Sequence, residues 1–226
     1  TVVVLSNGAP VVMPWVDEPA AILESYLGGQ ASGGAVVDVL YGDVEPAGRL
    51  AETFPMKRTD VASDPYFPGD PHQVEYREGL SVGYRHFTSA GIKPLFPFGH
   101  GLGYSQFELG APVGESELAA ESDLTLTIPV HNVGQRDGST VVQVYLRDRT
   151  GRVSRPRREL AGFAKVRLAA GQSTEVSVVV PARAFAGARR GLRQLRRGAC
   201  GGRPLGFPAR HGARCAPPGH CPGRLR

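Results

Sequence analysis

Cysteine is missing from the first 186 residues of this 226-residue chain; all three cysteines fall in the last forty. Disulfide scaffolding and thiol chemistry are therefore excluded for residues 1–186. Acidic residues show the opposite gap. Residues 187–226 hold ten Arg, nine Gly and five Pro but no Asp, Glu or Lys. All 21 acids lie in residues 1–186, beside sixteen basic side chains, so that stretch is net −5 and the tail +10. The basic pI of 9.4 belongs to the tail and says nothing about partners of the rest. No apolar run approaches the roughly 20 residues of a membrane span, so no integral helix and no membrane partner are expected. An initiator Met and a basic leader are lacking too. The chain opens on apolar Val2–Leu5, and the expectation is a piece of a longer protein.

What is present is turn chemistry: 30 Gly and 19 Pro suit a β-rich or α/β chain rather than a helical one. The tail has three readings. Its arginines suit a nucleic-acid arm. Cys200, His211, Cys215, His220 and Cys221 are zinc-type side chains, but they include no Cys-x-x-Cys pair. Arg, Gly, Ala, Pro and Cys without Lys, Ile, Asn or acids is also the composition of a GC-rich gene read out of frame. The last reading is preferred. The expected tail, residues 187–226, is disordered or frameshifted, with no metal, no cofactor and no nucleic-acid partner.

The remainder divides near residue 110. Over residues 1–110, Val2–Leu5 reads as a buried parallel strand ended by Ser6-Asn7-Gly8, and Ala21–Leu27 as a second strand closed by Gly28-Gly29. Ala31–Leu40 has helical spacing, with Ala35, Val36, Val39 and Leu40 on one face and Gly42 as its stop. Arg49–Phe54 reads as another strand, and 55–75, rich in Pro and Asp, as a long surface loop. This is an α/β layer pattern. Residues 111–186 change to period two. Leu124, Leu126, Ile128 and Val130 alternate with Thr125, Thr127 and Pro129; Val142, Val144 and Leu146 alternate, as do Val176, Val178 and Val180. Turn residues lie at Asn132–Gly138 and Ala169–Gln172, which together indicate an antiparallel β-sandwich.

Candidate chemistry is sparse. The glycine run Gly28–Gly34 sits where a phosphate cradle would, but without the Gly-Lys-Ser/Thr or Gly-x-Gly-x-x-Gly phase; tight packing of helix on strand is the preferred reading. His100, among Phe96, Phe98 and glycines, lacks a Ser-centred elbow and reads as a hydrogen-bonded structural residue. Asp64, Asp70, Glu75 and Glu78 lie in or just after the long loop, where paired carboxylates serve as acid and base if they converge and are otherwise solvated. Glu78 and Trp15 are the two substrate-binding candidates: Glu78 as a carboxylate after the loop, Trp15 as a ring that stacks on a sugar or fills core.

Several stretches resemble the C-terminal portion of glycoside hydrolase family 3, the β-glucosidase family. They are Val2–Trp15, Gly28–Pro55, Tyr76–Phe87 and Leu95–Phe107, in that order. Asn132-Val133-Gly134, Val142–Tyr145 and Arg158–Phe163 are similar to the fibronectin type III-like domain that follows in the family. The resemblance covers residues 1 to about 186 and stops near Ala186. It implies the C-terminal half of the family's α/β sandwich domain over residues 1–110. A fibronectin type III-like sandwich, truncated, is implied over 111–186. It also implies a substrate for the full-length parent, a β-linked glucoside or related sugar cleaved with retention. Family members carry the nucleophilic Asp and the acid/base Glu upstream of the stretch matched here. No residue of this chain matches either motif, so no catalytic residue is assigned. Retaining hydrolysis needs two carboxyl groups about 5 Å apart, and the isolated chain is expected to be inactive. The competing reading is a non-catalytic carbohydrate-binding or interaction module.

Overall fold

The computed structural model describes residues 1–115, 118–119, 121–149 and 154–185; the expected character of residues 187–226 lies outside them. In chain order the strands are β1 (Val2–Leu5), β2 (Ala21–Glu24), β3 (Phe107–Leu109), β4 (Val113–Gly114), β5 (Leu124–Asn132), β6 (Gly138–Leu146), β7 (Glu159–Leu168) and β8 (Ser173–Val180). The α-helices are α1 (Ser32–Tyr41) and α2 (Tyr84–Ala90). None of the described helices is long and apolar enough to cross a membrane.

The first part follows the expected order with four corrections. β1 and β2 pair in parallel, Val2 against Ala21 through Leu5 against Glu24. The pair is not buried: Val2 and Val4 remain 46% and 40% exposed, because two strands and a ten-residue helix enclose no interior. β2 stops at Glu24 instead of Leu27. The Glu24 carboxylate accepts the Tyr26 N–H at 2.7 Å, and Tyr26 takes a positive φ of 48° that no strand continues through. α1 ends as expected at Gly42, in the left-handed region with its N–H bonded to the Val39 carbonyl, yet it buries no residue. Arg49–Phe54 does not form a strand. It bends at Ala51-Glu52 and binds the 95–100 segment at two separate points, Leu50 with His100 and Gly99, and Phe54 with Leu95 and Phe96. Only the Phe54–Phe96 bridge has ladder geometry. The loop over 55–75 contains single 3₁₀ turns at Arg58–Asp60 and Asp64–Tyr66.

The second part is entirely antiparallel. β5 is central: β3 and β4 pair along one of its edges and β8 along the other, from Leu124–Val180 to His131–Ser173. β6 pairs with β7, with an irregularity between Val144 and Tyr145. Leu124, Leu126, Ile128 and Val130 meet Val142, Val144, Leu168, Val176, Val178, Val180 and Phe185 in one core. Alternation is the cause: every second side chain of β5 and β8 points inward. Gly162 lies where β7 crosses β8; a Cβ there would stand 2.8 Å from Val178 Cγ1 and 2.9 Å from the Val179 carbonyl oxygen. Pro129, in the middle of β5, interrupts no ladder bond. Its carbonyl accepts the Gly110 N–H at 2.8 Å, and its missing donor faces the gap between the end of β3 at Leu109 and the start of β4 at Val113.

A polar seam joins the two parts. Glu45 seats a carboxylate oxygen between Gly103 and Gly138, where a Cβ on either would lie within 2.6 Å, and its other oxygen accepts the Ser139 N–H. Arg136 donates to the Gly42 carbonyl at 2.7 Å and lies 5.5 Å over the Tyr104 ring, whose hydroxyl donates to the Val39 carbonyl. Further along, the Leu160 N–H donates to the Tyr84 hydroxyl at 2.7 Å, and Tyr84 stands edge-on to Tyr145 at 5.8 Å. Burial pushes the Tyr145 phenol up to about 12. At the root of the seam is Asn132, fully buried. Its amide donates to the carbonyls of Arg136, Leu168 and Ala169, and its oxygen accepts from Ser105 Oγ at 2.6 Å and the Gly134 N–H at 3.0 Å.

Candidate functional site

The two substrate-binding candidates are not brought into contact. Trp15 is half-buried in a turn where its carbonyl accepts the Glu18 N–H at 3.0 Å; Glu78 is half-buried in a second turn, its carbonyl accepting the Ser81 N–H at 2.8 Å. No hydrogen bond or ring contact joins them among the described residues. The glycine run is different from its preferred reading: a Cβ on Gly33 or Gly34 would meet nothing within 4 Å, so close packing is not what they serve here. Gly28 alone is crowded, its Cβ position 2.4 Å from Ser32 Oγ.

His100 is held as a packed residue. Its ring stacks on Phe96 at 5.1 Å, its N–H donates to the Pro97 carbonyl at 3.0 Å and its carbonyl accepts the Leu50 N–H at 2.8 Å. Burial, and then the Arg49 guanidinium, hold its imidazole below the ordinary histidine range. Arg49 is itself lowered by burial, with Glu45 opposing, and donates to Thr140 Oγ1 at 3.4 Å. Among the described residues no acid or nucleophile is hydrogen-bonded to the His100 imidazole. No group of three or more His, Cys, Asp or Glu among the described residues is arranged to hold a metal.

Of the acids in or just after the long loop, Asp70 and Glu75 line one cavity, and Asp64 and Glu78 do not. Asp64 pairs with Arg58. Asp70 Oδ1 accepts the N–H groups of His72 and Gln73 at 2.7 and 2.9 Å, while the Asp70 N–H donates to the Gln73 carbonyl at 3.0 Å. This closed turn requires Gly69, at φ 89°, where a Cβ would lie 2.6 Å from the Gln73 carbonyl oxygen. Gln73 donates to Glu75 at 3.1 Å, Glu75 pairs with Arg77, and Arg77 lies 5.0 Å over the Tyr66 ring. Around these groups is a cavity of about 330 Å³ lined by Pro65–Asp70, Gln73 and Glu75. Phe67 on its wall is 69% exposed, and Tyr76, next to Glu75, is 86% exposed. Tyr66 and Phe67 were not among the sequence candidates. The signal was available in an aromatic pair directly before Pro-Gly-Asp, a turn that fixes where the rings stand.

Residues 1–104 match the glycosyl hydrolase family 3 C-terminal domain, and residues 140–196 match the fibronectin type III-like domain. The chain belongs to the C-terminal region of glycosyl hydrolase family 3. It is 50% identical over 186 residues to thermostable beta-glucosidase B of Acetivibrio thermocellus, an alignment covering 82% of this chain and 25% of that protein. Against a beta-glucosidase of Rhizobium radiobacter it is 48% identical over 186 residues, with 80% and 23% covered. Among solved structures it is similar to DesR, a beta-glucosidase from Streptomyces venezuelae in complex with D-glucose. The TM-score there is 0.73 at 42% identity, over 79% of this chain and 23% of that one. It is also similar to beta-glucosidase 3B from Thermotoga neapolitana in complex with glucose, with a TM-score of 0.76 at 37% identity over 81% and 26%. This family 3 chain thus spans about a quarter of the length of the relatives it matches.

Proposed function

We propose that this chain is the C-terminal part of a retaining β-glucosidase-like glycoside hydrolase, acting on O-glycosidic bonds of β-linked glucosides, and that it is inactive alone. One observation carries the reading. Identity of about half to a beta-glucosidase extends over 186 residues, 82% of the chain, and so takes in both of its parts. The inactivity follows from chemistry: a retaining mechanism needs two carboxyl groups flanking the bond, and neither family motif that supplies them has a counterpart here. In this reading residues 1–110 are the second half of the α/β sandwich domain. Residues 111–186 are the fibronectin-like sandwich, with β3 lent to its sheet. Trp15 and Glu78 are sugar contacts contributed from this half.

The test is a chimera. Residues 1–185 replace the corresponding region of the Acetivibrio thermocellus relative, and hydrolysis of p-nitrophenyl β-glucoside is measured beside the 226-residue chain alone. Activity in the chimera and none in the chain is the expected result. A folded but inert chimera, or turnover by the purified chain, would overturn the proposal.

A further inference from the structure

We infer that the cavity formed by Pro65–Asp70, Gln73 and Glu75 is a binding subsite for a single neutral pyranose unit. It rests on the glucosidase reading only for the choice of a β-linked sugar as probe. The cavity, at about 330 Å³, is at the small end of the roughly 300–1,000 Å³ typical of ligand sites, which suits one ring rather than a chain. Its wall presents the two kinds of group that a sugar ring uses. Phe67 offers an exposed apolar face for the C–H side of a pyranose. Asp70 Oδ2 and Gln73 Oε1, which the turn's own bonds do not use, offer acceptors for its hydroxyls beside the Glu75 carboxylate that holds the Gln73 amide.

The site is also pre-formed. Asp70 is fixed through Oδ1 by two backbone N–H groups, which leaves Oδ2 for a ligand hydroxyl, and the Gly69 turn sets the spacing of Phe67 from Asp70. Little ordering is therefore left to binding. Other ligand classes fit less well. Two carboxylates against the one guanidinium of Arg77, which is already shared between Glu75 and the Tyr66 ring, disfavour a phosphate or other anion. A purely apolar ligand would cover the Asp70 carboxylate without offering its second oxygen a partner.

The experiment uses the whole 226-residue chain and cellobiose, followed by saturation-transfer NMR and titration, with far-UV circular dichroism as the folding control. Binding in the millimolar range is expected. Phe67→Ala should weaken it about fivefold or more, the loss of one stacked ring, and Phe67→Tyr should retain it. Asp70→Asn keeps the turn-forming oxygen and should weaken binding about threefold by removing a charged acceptor. A folded chain that shows no transfer to cellobiose, or Phe67→Ala and Asp70→Asn variants that both bind it as tightly as the unaltered chain, would overturn the inference. The two proposals fail separately. An inert chimera beside a chain that binds cellobiose through Phe67 would sink the hydrolase reading and leave this site standing; an active chimera beside a chain that binds no cellobiose would do the reverse.

Discussion

Asn132 shows how much one residue can hold. In the sequence it is the first of a run of turn formers; in the structure it ends β5 and its side chain satisfies groups from three separate segments. Replacing it by Ala takes the side-chain partner from the Leu168 and Ala169 carbonyls and the Gly134 N–H at once, while the Ser105 hydroxyl keeps the Arg136 carbonyl. Asn132→Ala is expected to cost about 3 kcal/mol or more, read as a shift in urea midpoint at constant slope. His100 gives a pH test. Its folded pKa is depressed by burial and by Arg49, so folding favours the neutral ring. That contribution is complete above the unfolded value, about 6.5, and is lost as pH falls from there through the lower folded value. Stability measured from pH 7.5 down to pH 5 should decline, and His100→Gln should flatten the decline. An unchanged slope in the variant would assign the acid sensitivity elsewhere. Residue-level reading was met in part for His100, expected as a hydrogen-bonded structural residue: its ring stacks on Phe96, and the hydrogen bonds described for it are made by its backbone. It failed for Asn132, because nothing local distinguishes a turn Asn from one whose partners are 27 and 36 residues away.

Among the elements, legibility followed length and contrast. β5, β6 and β8 each run eight or nine residues with apolar side chains at every second position, and each was readable as a strand. β7 is as long but was not readable. Its inward positions include small Ala161 and Ala164, and its outward face carries Phe163, 68% exposed, which inverts the usual contrast. β3, β4 and α2, of three, two and seven residues, are too short for any period to register. The expected Arg49–Phe54 strand failed because its apolar residues point to two anchors, not along one ladder. The loop cavity was hidden for a related reason: side chains brought together by a turn at Gly69 have no period at all. β7 nevertheless makes an exacting contact. Gly162→Ala would press a methyl group against Val178 and the Val179 carbonyl across the two sheets. The expected loss is about 1–3 kcal/mol, checked by thermal melting. Gly33→Ala, with open space around it, should be neutral or slightly stabilising through helix propensity.

For the molecule as a whole, the two parts differ in what holds them. The β part has a closed list of buried apolar residues; the first part leaves Val2, Val4, Leu27, Val37, Leu40 and Tyr41 at least 40% exposed. Its cohesion therefore depends on the seam to β6. The chain is expected to melt in one transition. Glu45→Ala, which removes the acceptor of the Ser139 N–H, should lower stability by about 1–3 kcal/mol and separate the loss of helix signal from the loss of sheet signal. Coincident transitions in that variant would show the seam to be dispensable. The placement of Pro129 has a different kind of consequence. Because β5 lacks a donor at one point only, and the sheet opens a gap at that same point, the strands on that edge have just one alignment in which no carbonyl is left facing a proline ring. A slip of pairing by one residue already turns a strand's buried side chains to the wrong face; along this edge it would also set a strand carbonyl against the proline, a second penalty on the wrong alignment.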